Sequence, residues 1–492
     1  MDRHVSFKTS LTAWILILFS LAAGLAGGMA FAASRVGIEL FSDPTGTLAV
    51  FSSNGALDSR NLFFHPLGTN GRSCASCHVA SDAYTITPRH IQQRFAASHG
   101  TDPLFRPVDG SLCPDSPGVN ANPPDPLAYS LLLSKGLIRV GMPIPANAQF
   151  TVAVVSDPYG CAEITDSTGH VKLSVYRRPL PSTNLRFLSA VMFDGRESLK
   201  PLNDPATFRA NLEFDLADQA RDAIVGHEQG ATPTPAQLQQ IVDFEIATYT
   251  AQQMDNSAGA LVSQGANGGP VYLSSVPYYP GINDSLGSNP TGAAFNPNAF
   301  TLFNAWQNLS SRTPTAAARA SIARGQAIFN TAPLSIEDVK GLNDALGLAT
   351  IQGTCSTCHD AINSGGHSLP VPLDIGIADV PTGSPDPISQ ALGELNEPLV
   401  PVYDLTCSTA LGGPADFTVR TTDPGRALVT GRCADIGKVK GPVLRGLAAH
   451  APYFQNGSAD SLDQVVNFYN DRFQMGLTAN EKADLVNFLR SL

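Results

Sequence analysis

The chain is poor in charge, in tryptophan and in alternating apolar runs, and each shortage narrows what it can be. Only 15% of its 492 residues are charged, and the acidic ones prevail for a net charge of −11. A surface of that sign offers no footing for nucleic-acid phosphate. It favours, weakly, a basic soluble partner. Beyond the first 33 residues no apolar run is long enough to cross a bilayer, so no membrane association is expected once that segment is removed. Strand-like segments are few and short, Phe150–Val155 being the best, and a mainly α fold with much loop is expected. With 43% apolar residues the chain is globular, and it is long enough for two or three cores.

The N-terminus stands apart. Arg3 and Lys8 precede the apolar run Ala13–Ala26, and Ala30-Phe31-Ala32 is a small-x-small cleavage site. That reads as a secretory signal peptide over residues 1–33, cut near Ala32, with an uncleaved anchor as the alternative. Export to the periplasm places the mature chain in an oxidising compartment. Eight cysteines are present. Four fall in two C-x-x-C-H motifs, Cys74-Cys77-His78 and Cys355-Cys358-His359. This is the attachment signature of c-type haem: two close thiols add across the two vinyl groups of one porphyrin, and the next histidine lies under the iron. A zinc site would need a second half-site nearby, and neither motif has one; a dithiol redox pair would leave both histidines idle. The other four, Cys113, Cys161, Cys407 and Cys433, suggest the bridges Cys113–Cys161 and Cys407–Cys433, with other pairings open.

Around the motifs, helical signals dominate. Thr234, Pro235 and Gln237 form a capping box ahead of Leu238, Ile241 and Val242. From Asp255 to about Phe300 the composition turns to Gly, Asn, Ser and Pro, as in a long surface loop. Thr313–Asn330 is expected to be a helix leading into the second haem unit. Leu462, Val465, Val466 and Tyr469 share one helix face, and Thr478 with Glu481 caps a last helix. The division expected is signal peptide 1–33, a first haem domain with an insertion 34–230, a helix and loop-rich insertion 231–314, and a second haem domain 315–492.

Three further stretches resemble the bacterial di-haem cytochrome c peroxidase family, which includes MauG. Arg177–Leu199 carries an Asp-Gly-Arg motif, Gly441–Asn470 carries Pro-x-Leu-Arg followed by Ala-Pro-Tyr-Phe, and Ala323–Asn330 is similar to the family's helical lead-in. The resemblance implies two class I cytochrome c-like domains, each with one covalent haem c, doing different work. The haem on His78 would be the reaction site and that on His359 the electron-transfer site. His227 and Glu228 stand where a distal acid/base or reversible ligand belongs, although the family's acid is not reproduced at its own place; His90 and His99 are fallbacks, and His65 is structural. At the second haem the sixth ligand would be Tyr469, favoured, or Met475, with His367 near the edge. Asn184, with backbone carbonyls at residues 440–442, matches a calcium position, so calcium is a further candidate cofactor. Arg196 and Arg445 are candidates for haem propionates. Phe193 takes the place of a tryptophan between the haems, which leaves no radical relay there; Trp306 lies outside the match. The function implied is reduction of hydrogen peroxide, or another small oxidant, by electrons from a small soluble donor such as a monohaem cytochrome or cupredoxin; a homodimer is left open. The alternatives are MauG-like or oxygenase-like oxidation of an organic or protein substrate, and a non-catalytic di-haem electron carrier.

Overall fold

The computed structural model describes residues 37–492, apart from 167, 311 and 382–385. The signal-peptide reading lies outside the described residues. Six longer helices are set around the two C-x-x-C-H motifs: α1 Pro88–Ser98, α2 Phe208–Gly226, α3 Pro235–Ala247, α4 Pro314–Thr331, α5 Leu462–Arg472 and α6 Ala479–Leu489. The capping boxes at Thr234 and Thr478 are both formed. Among the described residues no helix is long and apolar enough to cross a membrane.

In the C-terminal unit α4 crosses α6 at a glycine. A Cβ on Gly325 would sit 2.0 Å from the carbonyl oxygen of Asp484, so the two backbones meet where no larger residue fits. Phe329 of α4 and Phe488 of α6 then pack at 5.7 Å, and Phe329 lies 6.0 Å from the His359 ring. The N-terminal unit repeats the arrangement with shorter pieces. Phe63 packs on Phe244 of α3 at 4.9 Å and lies 6.3 Å from the His78 ring. The chain leaving α3 continues as strand Thr248–Asp255, which pairs antiparallel with Gly46–Ser52.

The mainly α expectation is overturned. The described residues are 31% helical and 17% strand, and their strands form four sheets. Most of the unexpected strand lies in two segments far apart in sequence. Val402–Cys407 pairs with Phe417–Thr421 on one side and with Phe150–Ser156 on the other. Val171–Arg177 pairs with Ile138–Pro143 and Glu163–Thr165. Along Val402–Cys407, Tyr403, Leu405 and Cys407 are buried in alternation, and Leu173 and Val175 face the same core. The Cys407–Cys433 bridge closes this module. Cys113 and Cys161 are unbridged thiols that lie within hydrogen-bond reach of each other. These strands are short, and the pairing of Phe150–Ser156 with Val402–Cys407 joins segments some 250 residues apart, which no local pattern announces.

The segment from Asp255 to Phe300 holds one short helix, Gly269–Ser275, and although residues 286–298 are mostly exposed, its two ends enter the core. Ala258, Leu261, Ala266, Phe300, Leu302, Phe303 and Trp306 fill one core with α4 and α6. Buried amides replace a ladder there. Asn330 Oδ1 accepts from Phe300 N and its Nδ2 donates to Phe300 O, Gln326 accepts from Phe303 N, and Asn363 from Thr301 N.

Candidate functional site

Both motifs sit in the same local structure. Ser73 and Thr354 each form a reciprocal capping box with the residue three on, which winds the two cysteines into a short 3₁₀ turn. His78 N and His359 N each bond back to the first cysteine's carbonyl at 3.0 Å. His78 Nδ1 faces Tyr84 O at 2.8 Å, and His359 Nδ1 faces Gly365 O at 2.7 Å, six residues on in both cases. A ring tied through Nδ1 to a carbonyl presents Nε2 as the ligating nitrogen. Burial pushes both imidazoles down, His78 to about 4. All four motif thiols are unbridged and pushed up by burial, Cys77 to about 11 and Cys355 and Cys358 to about 12.

One continuous cavity runs between the motifs and is lined by all six of these residues. Three buried cations border it without a carboxylate partner among the described residues: Arg178, Lys440 and Arg445. Arg445 gives one bond to Asn363 O and leaves Nε and Nη2 without partners. Burial pulls Arg445 down to about 9 and Lys440 to about 8, neither being held up by an anion. Buried unpaired cations are costly and call for anions in the finished molecule. Free thiols, oriented imidazoles and orphaned cations around one apolar cavity fit two covalent haems with their propionates. Arg196 is less free, being paired with Asp194 at 3.1 Å. Asp194 in turn shares the buried Arg177 with Asp423, at 2.5 and 2.7 Å, which ties the Asp-Gly-Arg motif to the β module.

The far sides of the two motifs differ. Facing the first, His227 follows the end of α2 and lines the cavity, near enough that charge on it would depress His78. Its Nδ1 is bound by Asp109, whose other oxygen is held by Arg72. Burial pushes Asp109 up, but His227 and Arg72 together hold it below the ordinary aspartate range. Glu228 is turned back toward the motif: its carboxylate accepts from Leu67 N at 2.8 Å and approaches Cys74 Sγ at 3.9 Å. A different acid, Glu245 of α3, lines the cavity with one oxygen unpartnered and is pushed by burial up to about 8. Sequence reasoning missed it, although an acid in the apolar run Val242–Ala247 is a signal. It also missed the buried Asp109 and the half-buried His450, which carry no spacing signal. His90 pairs with Asp82 on α1, and neither it, His99 nor His65 lines the cavity.

Facing the second motif the lining is apolar and aromatic. Tyr469 and Met475 both line the cavity and pack with Phe473, Leu334, Ile336 and Leu373 against Cys355 and Cys358. The Tyr469 hydroxyl makes no hydrogen bond among the described residues, and burial pushes its phenol up. His367 lines the cavity with Nδ1 directed at Cys358 O, 3.1 Å away. Asn184 is committed: its Oδ1 accepts from Thr250 N and its Nδ2 donates to Thr250 O. Phe193 lines the cavity between the motifs, its carbonyl accepting from Lys440 N at 2.8 Å.

No family model matches the chain. Cytochrome-c peroxidase IdrP2 of Denitromonas iodatirespirans is 38% identical over 90 residues, 17% of this chain and 24% of that protein. Cytochrome-c peroxidase IdrP1 of the same organism is 38% identical over 81 residues, 14% of this chain and 22% of that protein. IdrP1 of Pseudomonas sp. (strain SCT) is 37% identical over 87 residues, 15% and 23%. The chain thus spans about a quarter of the length of the curated relatives it matches. A crystal structure of a MauG-like protein associated with microbial copper homeostasis aligns with 88% of this chain and 87% of its own, at 14% identity and a TM-score of 0.35, too low to carry an argument. Over these segments the chain is similar to bacterial cytochrome-c peroxidases.

Proposed function

We propose that this is an exported di-haem c-type oxidoreductase that reduces hydrogen peroxide at the His78 site with electrons received at the His359 site from a small redox protein. The observation that carries the reading is the inequality of the two far sides: ionisable and hydrogen-bonded at the first, apolar at the second. Haem, held by Cys74, Cys77 and His78 at one site and by Cys355, Cys358 and His359 at the other, would supply the redox chemistry. The chain supplies the rest. His227 Nε2 takes a proton from peroxide and returns one to the departing oxygen. Gln219, which lines the same pocket, offers an amide donor, and Glu245, neutral at pH 7, is a proton store. Lys440 and Arg445 neutralise carboxylates at the cofactor edges. At the second site Tyr469 or Met475 would help hold the cofactor, and the apolar wall would keep water away from it.

Stopped-flow mixing of pre-reduced protein with peroxide and a reduced donor tests this. Turnover is expected, and none with any donor would sink the reading. A second reading, oxidation of an organic or protein substrate, draws on the unpartnered Tyr469 hydroxyl, since a phenolate ligand favours higher iron oxidation states. Methionine ligation at the second haem, seen spectroscopically, would remove its basis.

A further inference from the structure

We propose that Asp109 is the positioning residue of the first site, holding His227 in the tautomer that presents a basic Nε2 to the cavity. This deepens the reading above and rests on it. Asp109 is 5% exposed and lies between Cys77 and the strand Ile138–Pro143. An ionised carboxylate only accepts hydrogen bonds, so the Nδ1 it faces must carry the hydrogen and Nε2 keeps its lone pair. Among the described residues Nε2 has no hydrogen-bond partner.

The carboxylate is itself immobilised. Arg72 Nη1 takes the second oxygen, while Arg72 Nε and Nη2 donate to Pro103 O and Leu104 O, both at 2.8 Å. The guanidinium is thus locked to the loop that carries Asp109. Arg139 N donates to Asp109 O at 2.8 Å, which anchors that loop to the β module. His227 is held at its other end too, because Asn70 Nδ2 donates to His227 O at 2.8 Å. Asn70 and Arg72 lie just ahead of Cys74. The same short stretch therefore orients the histidine and precedes the first cysteine. The titratable and charged groups near the couple are Arg72, which is bonded to Asp109, His78 and Glu228 beside His227, and the Cys77 thiol, which Asp109 helps to push up.

The test is cyanide association with the haem-loaded full chain carrying one electron at the second site, followed by the visible spectrum. Hydrogen cyanide must lose its proton to bind, so the rate reads the base directly. Asp109→Asn offers Nδ1 a donor and reverses the tautomer at constant size. It should slow association by about tenfold or more, as His227→Gln does, with haem content and unfolding temperature unchanged. If Asp109→Asn binds cyanide at the wild-type rate, the inference falls while peroxide reduction at this site stands. If His227→Gln is as fast as wild type, or wild type binds no cyanide, the parent reading fails and takes this one with it. Should Asp109→Asn not accumulate, Asp109→Ser is measured with and without formate. Formate must then restore the rate, and indifference to it overturns the inference.

Discussion

Set side by side, the two C-x-x-C-H segments repeat each other on the cysteine side. Both have a hydroxyl-led capping box, a histidine tied to the carbonyl six residues later, and a phenylalanine about 6 Å from the imidazole. Across the cavity they share nothing. The first faces His227, Asp109, Arg72 and Glu245; the second faces Tyr469, Phe473, Met475 and a wall of leucine and isoleucine. The capping box and the histidine's carbonyl tie are written in twelve contiguous residues, 73–84 and 354–365, so they can be copied. The far half is assembled from distant segments, and there the two copies diverge in chemistry.

The largest break in this comparison should come from removing one copy at a time. Cys74→Ser with Cys77→Ser should leave a single covalent haem by mass spectrometry and abolish peroxide reduction. The matching pair at Cys355 and Cys358 should also leave one haem, and should stop donor-driven turnover while sparing cyanide binding at the first site. Next in size is the identity of the second far-side ligand. Tyr469→Phe should change the visible and electron paramagnetic resonance spectra of the second haem, and Met475→Leu should leave them alone; the opposite pattern assigns Met475.

A smaller effect concerns stability of one unit only. Gly325→Ala forces a methyl against Asp484 O and should cost about 1–3 kcal/mol, read as a lower unfolding temperature with the first site's spectrum intact. The smallest is a pH effect. Glu245 binds its proton up to about pH 8 when folded, whereas an unfolded glutamate releases it near 4.5. Between those values the folded state holds more protons, so this group's stabilisation is fully present below pH 4.5 and is lost as pH rises toward 8. Glu245→Gln should therefore match wild type in unfolding temperature near pH 4.5 and exceed it increasingly toward pH 8.

What could be read from the chain in advance follows from how local each feature is. The capping boxes at Thr234 and Thr478 depend on four consecutive residues, and both formed. The Cys407–Cys433 link spans a short loop, and it formed too. The strand at Phe150 was legible, but Val402–Cys407 escaped because its partners, Phe417–Thr421 and Phe150–Ser156, come from elsewhere in the chain. The role of the Asp255–Phe300 stretch escaped for a related reason: amide side chains of Asn330, Gln326 and Asn363 satisfy its backbone, and such bonds have no period to detect. Within the cavity, the motif residues are legible because covalent chemistry demands their spacing. Asp109, Glu245 and Lys440 are not, since an ordinary acid or lysine reveals itself only by where burial leaves it.

The sheet that joins Phe150–Ser156 to Val402–Cys407 has a consequence for how the molecule can be divided. One contributor enters before the first haem unit is complete and the other after the second motif, so neither half owns the module. A polypeptide severed between the units would expose a row of unsatisfied backbone groups on each fragment, an invitation to mispairing and aggregation. The twin cofactor units are thus stitched into an indivisible whole, and the two inserts have meaning only as a pair.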